Sequence, residues 1–466
     1  MYGSLQLSGT MNGQTTGSGV NLNFNELEKI CLGQFEANSE LFKTTVKENI
    51  NKNRKSVKSI SVKDENGKPL SGAAVKVTLK NHQFKYGSHI FMLDQFESKE
   101  ENELFRKLFS KYFNLATIPF YWEGIEPVQG KPRYGAESEK VYRRPSPDLC
   151  LDYCREKGID AKIHCLFYDK FIPNWLPKDD EKQMKELYEK RFREIADRYG
   201  NGVMYEVEVI NELLETYAWT TNSVISNEKD ALEWSFKLAE KYFPNDVLVI
   251  NDANFVPEIG EKTYRHPYYM LVDSALAKGV RIDKIGIQNH IYMGMKDDYN
   301  PYAYASHFDP IKISKGLEVM SEFGKPLELT EVQIPTFGEG NEAENLQAEV
   351  LKYLYTLWFS TKNLDTVVYW NCVDKTAYSS PEWDENRLRA GLFHRDLAPK
   401  KSGEMLKKLF KEQWHTEVEL VTDENGQIEF EGFHGEYEVC IQSRYGEVYN
   451  AELNKDNQKA EFICII

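Results

Sequence analysis

Eight short β-rich runs separated by stretches of helical period are what most narrows the folds open to this 466-residue chain. The runs are FKYGSHI (84–90), NLATIPF (114–120), AKIHCLF (161–167), MYEVEVINE (204–212), DVLVIND (246–252), KIGIQNHI (284–291), PLELTEVQI (326–334) and TVVYWNCVD (366–374). Between them, segments such as NLQAEVLKYLYTLWF place Leu346, Val350, Leu354, Leu357 and Trp358 on one helical face. Parallel strands need crossover helices, so strand and helix alternating eight times predict an α/β fold, a (β/α)8 barrel over 85–411. That span exceeds the ~250 residues typical of such barrels, and the surplus belongs to loops, which build the functional face.

The flanks have a different period. SISVKDENGKPLSGAAVKVTL (59–79) alternates around an Asn66-Gly67 turn and reads as a hairpin. About five further alternating runs follow residue 412, with a second DENG turn at 423–426. Residues 56–84 and 412–466 are therefore expected to form one accessory β-sandwich with the barrel inserted between its halves. Residues 1–55 form a tail and a helical lead-in that ends exposed and charged. Tyr445 and Tyr449 are the main aromatic candidates for a sugar contact on the sandwich.

Charge and cysteine content exclude several classes. Seventy-three acidic against 58 basic residues give a formal charge of −15, which repels nucleic acid and anionic membranes. Neutral small molecules or polysaccharides are the expected partners. The seven cysteines show no CxxC pair and no histidine-rich neighbourhood, so reduced core thiols are expected, with no metal or cofactor. No apolar run reaches the ~20 residues of a membrane helix, and the first twenty residues lack a signal pattern. A cytoplasmic monomer is the expectation.

Polar groups at the C-terminal ends of barrel strands face the one open mouth, so they are the candidates for chemistry. Glu212 ends the fourth run and Glu331 lies near the end of the seventh. His164 lies in the third, Gln288 and His290 end the sixth, and Trp370 sits in the eighth. Two carboxyls flanking a glycosidic bond supply both the acid for the leaving oxygen and the group that meets the oxocarbenium-like centre. Trp122, Tyr121, Trp370, Tyr292 and Tyr378 can stack on apolar sugar faces. Alternation along 204–212 puts Glu206, Glu208, Ile210 and Glu212 on one face. Glu208, deeper in the barrel, is expected to be buried and paired with His164.

The motifs VINE, GIQNHIY, LELTEVQI, YWNCVD and GLFHRDLAPKKS, in this order, resemble those of glycoside hydrolase family 10, the retaining endo-β-1,4-xylanases. The resemblance implies that Glu212 is the acid/base and Glu331 the nucleophile, with Asn211 bonding the sugar 2-OH. It further implies that His290 holds Glu331, Gln288 contacts substrate and Trp370 floors the reacting subsite. An ionised Glu331 is then expected to raise the pKa of Glu212.

The chain departs from the family at a polar grip on strand two, where Thr117, Ile118 and Tyr121 replace Glu, Asn and Lys. Tyr168-Asp169 replaces a Trp-His pair, and Gln333 replaces an Asp. A decorated xylan, another β-linked glycan or a non-hydrolytic sugar-binding role are the alternatives to plain xylan hydrolysis.

Overall fold

A computed structural model of the chain describes residues 23–219, 221–296, 299–442 and 446–465. Tyr445 and the first twenty residues lie outside them. Two compact units are present. One comprises Tyr86–Val350 and Thr366–Gly403 with the segment ending at Ala37. The other comprises Asn38–Lys85, Leu351–Asp365 and the chain from Glu404 onward. Among the described residues no helix is long and apolar enough to cross a membrane.

Fifteen strands are formed among the described residues. In the second unit, β1 (Lys55–Asp64) and β2 (Ala74–His82) are joined later by β11 (Glu417–Val421), β12 (Gln427–Phe433), β13 (Gly435–Ile441), β14 (Glu447–Leu453) and β15 (Lys459–Cys464). Eight strands close the barrel of the first: β3 (Lys85–His89), β4 (Leu115–Pro119), β5 (Asp160–His164), β6 (Glu206–Asn211), β7 (Leu248–Asp252), β8 (Lys284–His290), β9 (Leu327–Gln333) and β10 (Leu364–Tyr369). Nearly every residue of these eight is buried, as expected where parallel strands are covered on both faces.

Local chemistry sets the helices between them. Ser98 and Glu101 form a reciprocal capping box that starts Lys99–Tyr112, whose buried face is Phe105, Leu108, Phe109 and Tyr112. Asp180 accepts from the Gln183 N–H to start Glu181–Tyr199. Pro147 begins the helix that Gly158, left-handed at φ 64°, ends.

Two interruptions of the ladder set the aim of side chains towards the barrel mouth. Between β6 and β7 the register slips at Val209, and between β8 and β9 it slips at Thr330. Each slip is a bulge, and a bulge turns the residues beyond it. Strict alternation along 204–212 therefore fails: Glu206 and Glu208 point into the barrel, but the next inward side chain is Asn211, not Ile210.

The barrel floor carries charge where aliphatic residues are the rule. Lys162 and Lys284 lie among Glu206, Glu208 and Glu328, all five under 3% exposed. Lys162 bonds Glu328 and lies 3.6 Å from Glu208. Lys284 bonds Glu206 and donates to Thr366 Oγ1 at 2.9 Å.

The second unit holds two sheets, ordered β12-β1-β15 and β11-β2-β13-β14. Ring contacts join them, Phe430 to Tyr437 at 5.8 Å and Tyr449 to Phe462 at 4.6 Å. Tyr449 is thus half-buried, one face of its ring stacked on Phe462 and its hydroxyl donating to the Ile463 carbonyl at 2.6 Å. The expected hairpin between β1 and β2 does not form. Gly67, at φ 78°, closes its turn onto the Asp64 carbonyl, but only Lys63 and Pro69 pair. The bridge is flanked by Asp64 N–H to the Lys68 carbonyl and Leu70 N–H to the Val62 carbonyl, and beyond Leu70 the chain leaves for the other sheet.

The unit also reaches further than its strands. Phe359 stacks on Trp414 at 4.2 Å and packs edge-on against Phe84 and Phe410. This cluster draws in Leu351–Asp365 and the helix after Glu404. Nor is the lead-in merely solvated at its end: Arg54 donates to the carbonyls of Phe359, Thr361 and Leu364 at 2.7, 2.5 and 2.5 Å. A cation there satisfies carbonyls that a helix C-terminus leaves open.

Candidate active site

At the C-terminal ends of the barrel strands opens a cavity of about 540 Å³. His164, Asn211, Glu212, His290, Glu331, Trp370, Tyr121, Tyr292 and Tyr378 all line it. Gln288 lies just beneath them and Glu208 deeper. Trp122 does not join them. Its indole packs behind the strands against Tyr188 at 4.8 Å and under the Arg191 guanidinium at 5.1 Å, and its Nε1 donates to Glu126.

Glu212 follows β6 directly and adopts a left-handed backbone at φ 54°. That conformation is costly for a residue with a Cβ and is found where a side chain must be aimed. The backbone is held by Glu212 N–H to the Asn251 carbonyl at 3.1 Å and Leu214 N–H to the Asp252 carboxylate at 3.0 Å. Glu212 Oε2 accepts from Tyr168 OH at 2.5 Å and lies 3.7 Å from Lys170 Nζ.

Glu331, just past the second bulge, faces it. Gln288 Nε2 donates to Glu212 Oε1 at 3.1 Å and to Glu331 Oε1 at 3.0 Å. One nitrogen within reach of both brings the facing oxygens to within about 6 Å of each other, which accommodates the ~5–5.5 Å carboxyl separation of retaining pairs. His290 Nε2 lies 3.2 Å from Glu331 Oε2.

A chain of hydrogen bonds supports the pair from below. Tyr121 OH meets His164 Nε2 at 2.9 Å, and His164 Nδ1 meets Glu208 Oε1 at 2.8 Å. Asn251 Nδ2 then lies within hydrogen-bond reach of Glu208 at 3.2 Å, Asn211 at 2.9 Å and Glu331 at 3.1 Å. Trp370 closes one wall, edge-on to His89, Phe91 and His164.

The electrostatics reverse the expected placement of the proton. Burial pushes Glu331 up to about 8, reinforced by Glu212 and Glu208 and opposed by His164. Burial also raises Glu212, but Lys170, the Tyr168 hydroxyl and the Gln288 amide outweigh it and hold that carboxyl below its ordinary value. Together these effects favour charge on Glu212 and the proton on Glu331. Lys170, which the motifs do not mark, is the reason. Burial opposes charge on His164 as well, yet Glu208 keeps it above the usual histidine value.

Several residues of the site carry no motif. Asn251 was visible only as a polar pair, Asn251-Asp252, ending an otherwise aliphatic strand. Tyr168 and Lys170 lie on the loop where a Trp-His pair was absent; Tyr168 turns inward, while Asp169 turns away to accept from Tyr188 and the Ser223 N–H. Arg143 and Arg144 arrive from the long loop after β4. Gln333 donates to Glu385 at 3.3 Å.

The carboxyl pair, its bridging amide and the aromatic walls are equipment for cleaving a glycosidic bond. A sequence model of glycosyl hydrolase family 10 matches residues 85–408. Endo-1,4-beta-xylanase 2 of Arabidopsis thaliana is 24% identical over 405 residues, covering 84% of this chain and 33% of that protein. The anti-sigma-I factor RsgI6 of Acetivibrio thermocellus is 24% identical over 413 residues, covering 87% of this chain and 47% of that one. This chain thus spans between a third and a half of each of these curated relatives. Among solved structures, xylanase 10B from Thermotoga petrophila, in complex with xylobiose, superposes with a TM-score of 0.56 at 20% identity. The match covers 71% of this chain and 95% of that one, a likeness of fold.

Proposed function

The chain belongs to glycosyl hydrolase family 10, and from that premise we propose that it hydrolyses β-1,4-linked xylan or xylo-oligosaccharides with retention of configuration. The observation that carries this is the Gln288 amide bonded to both Glu212 and Glu331, which keeps the two carboxyls close enough for double displacement. Glu331 attacks the anomeric carbon while Glu212 gives its proton to the leaving oxygen, forming a glycosyl-enzyme. Glu212, now a carboxylate, takes a proton from water, which displaces Glu331. Asn211 bonds the sugar 2-OH, Trp370 floors the reacting sugar and His290 orients the nucleophile.

The first step needs the proton on Glu212, whereas the open site keeps it on Glu331. Positive charge developing at the anomeric carbon favours ionised Glu331, and a leaving oxygen beside Glu212 favours its acid form. Substrate therefore drives the single proton of the free pair from Glu331 to Glu212; it leaves with the first product and is replaced from water when the glycosyl-enzyme is hydrolysed.

Reducing-end release from xylan and xylo-oligosaccharides tests the proposal, with Glu331→Ala and Glu212→Ala as controls. Full activity of Glu331→Ala, or an inverted first product by NMR, would sink it. A second reading, a sugar-binding protein without turnover, draws support from the Lys170 and Tyr168 contacts that keep Glu212 ionised. Oligosaccharide binding with no cleavage of any β-linked glycan would select that reading.

A further inference from the structure

Two adjacent cations line the cavity and take no part in the two-carboxylate chemistry. Arg143 is 7% exposed; its Nη1 donates to the Thr376 carbonyl and its Nε has no partner among the described residues. The Arg144 side chain is 13% exposed, and its guanidinium lies 4.2 Å from the Tyr121 ring and 5.5 Å from that of Phe171. Its Nη1 donates to the Arg143 carbonyl and its Nε is likewise unpartnered. Glu123 comes no nearer than 4.0 Å to Arg144 and is 44% exposed. Glu385, whose charge Arg143 feels, is already bonded by Gln333 and Trp383.

Side by side, two buried like charges repel, and among the described residues the carboxylates that face them offset this only in part: Glu123 at 4.0 Å from Arg144, and Glu385 acting on Arg143 without a direct bond. Burial pulls both guanidinium groups down, Arg143 to about 10, yet both stay charged at neutral pH. A buried charge matched only in part is unfavourable, and a ligand anion would offset that cost. A planar fork of N–H donors fits a planar carboxylate, and the rings of Tyr121 and Phe171 offer stacking beside it. The rest of the chain, at −15, repels a polyanion, so the fit is to one carboxylate and not to an acidic tract.

We infer that Arg144, with Arg143 beside it, forms a subsite for the carboxylate of a hexuronosyl residue, so that this site takes acidic glycans in preference to neutral ones. The inference rests on the proposed carbohydrate function, and it concerns the substituent recognised, not the bond broken.

Calorimetric binding and cleavage rates would be compared for three ligands. These are a xylo-oligosaccharide with one glucuronosyl branch, the same molecule with its carboxyl reduced to the alcohol, and a linear oligouronide. The native protein is expected to favour the acidic branched ligand over its reduced twin at least tenfold. In Arg144→Gln that ratio should fall towards one, and Arg144→Lys should restore part of it. Equal affinity of the native protein for acid and reduced forms would overturn the subsite, and needs no variant to fold. An unchanged ratio in folded Arg144→Gln would overturn it too. Preference for the linear oligouronide over the branched ligand would overturn a subsite for a single carboxylate. Preference in binding without any cleavage would remove the hydrolase proposal and leave the subsite standing.

Discussion

Lys170, 3.7 Å from Glu212, is the strongest of the groups that oppose burial and favour charge on that carboxyl. Replacing it with Met removes the leading stabiliser of the Glu212 carboxylate, and Tyr168→Phe removes the next. Both variants should shift the acidic limb of the kcat/KM profile upward, because that limb reports ionisation in the free pair. An unmoved limb would show that Lys170 does not act on Glu212. Glu331 has a consequence for stability as well. Its folded pKa lies at about 8, above the ordinary 4.5, so the folded state keeps a proton that the unfolded chain releases. That contribution is fully present below 4.5 and is lost as pH rises to about 8. Native Tm should therefore fall relative to Glu331→Gln across this window, measured by calorimetry at matched ionic strength. The glutamates themselves were legible from strand-end position and motif. Lys170, Tyr168 and Asn251 were not, because their roles come from loops and neighbouring strands that meet only in three dimensions.

Bulges and close approaches govern the elements. Period-2 reasoning placed Ile210 inward; one extra residue at Val209 turns Asn211 inward instead. Nothing in the composition of VEVIN signals a bulge, since it answers to the ladder of the partner strand. The helices Val256–Lys262 and Pro310–Ser321 meet at Gly260 and Gly316. A Cβ on Gly316 would lie 2.1 Å from the Val256 carbonyl, and one on Gly260 would lie 2.2 Å from that of Lys312. Gly316→Ala must push the two helices apart and should cost about 1–3 kcal/mol, as overpacking does. Urea denaturation would measure it; an unchanged midpoint would mean the helices separate freely. The failed hairpin is likewise a matter of sheet partners: Asn66-Gly67 makes its turn, and after Leu70 the returning chain joins the other sheet as β2.

At the scale of the molecule, the barrel is built around charge. Lys162 and Lys284 share Glu206, Glu208 and Glu328; burial, and after it Glu328, pushes Glu206 up to about 8, and removing Glu328 takes away the carboxylate nearest Lys162. Glu328→Gln should destabilise the barrel by about 3–5 kcal/mol, more than an exposed pair would. A loss under about 1 kcal/mol in chemical denaturation would show that the layer rearranges. The alternation of eight strands with amphipathic helices was enough to specify the parallel barrel, because burial on both faces imposes a local pattern that periodicity exposes. Motif order likewise marked the carboxyl pair. Which carboxyl holds the proton, which loop cations enter the cavity and which helices join the second unit were decided by the tertiary structure alone. Coulomb energy and desolvation depend on distances between residues far apart in the chain, and no local pattern encodes them.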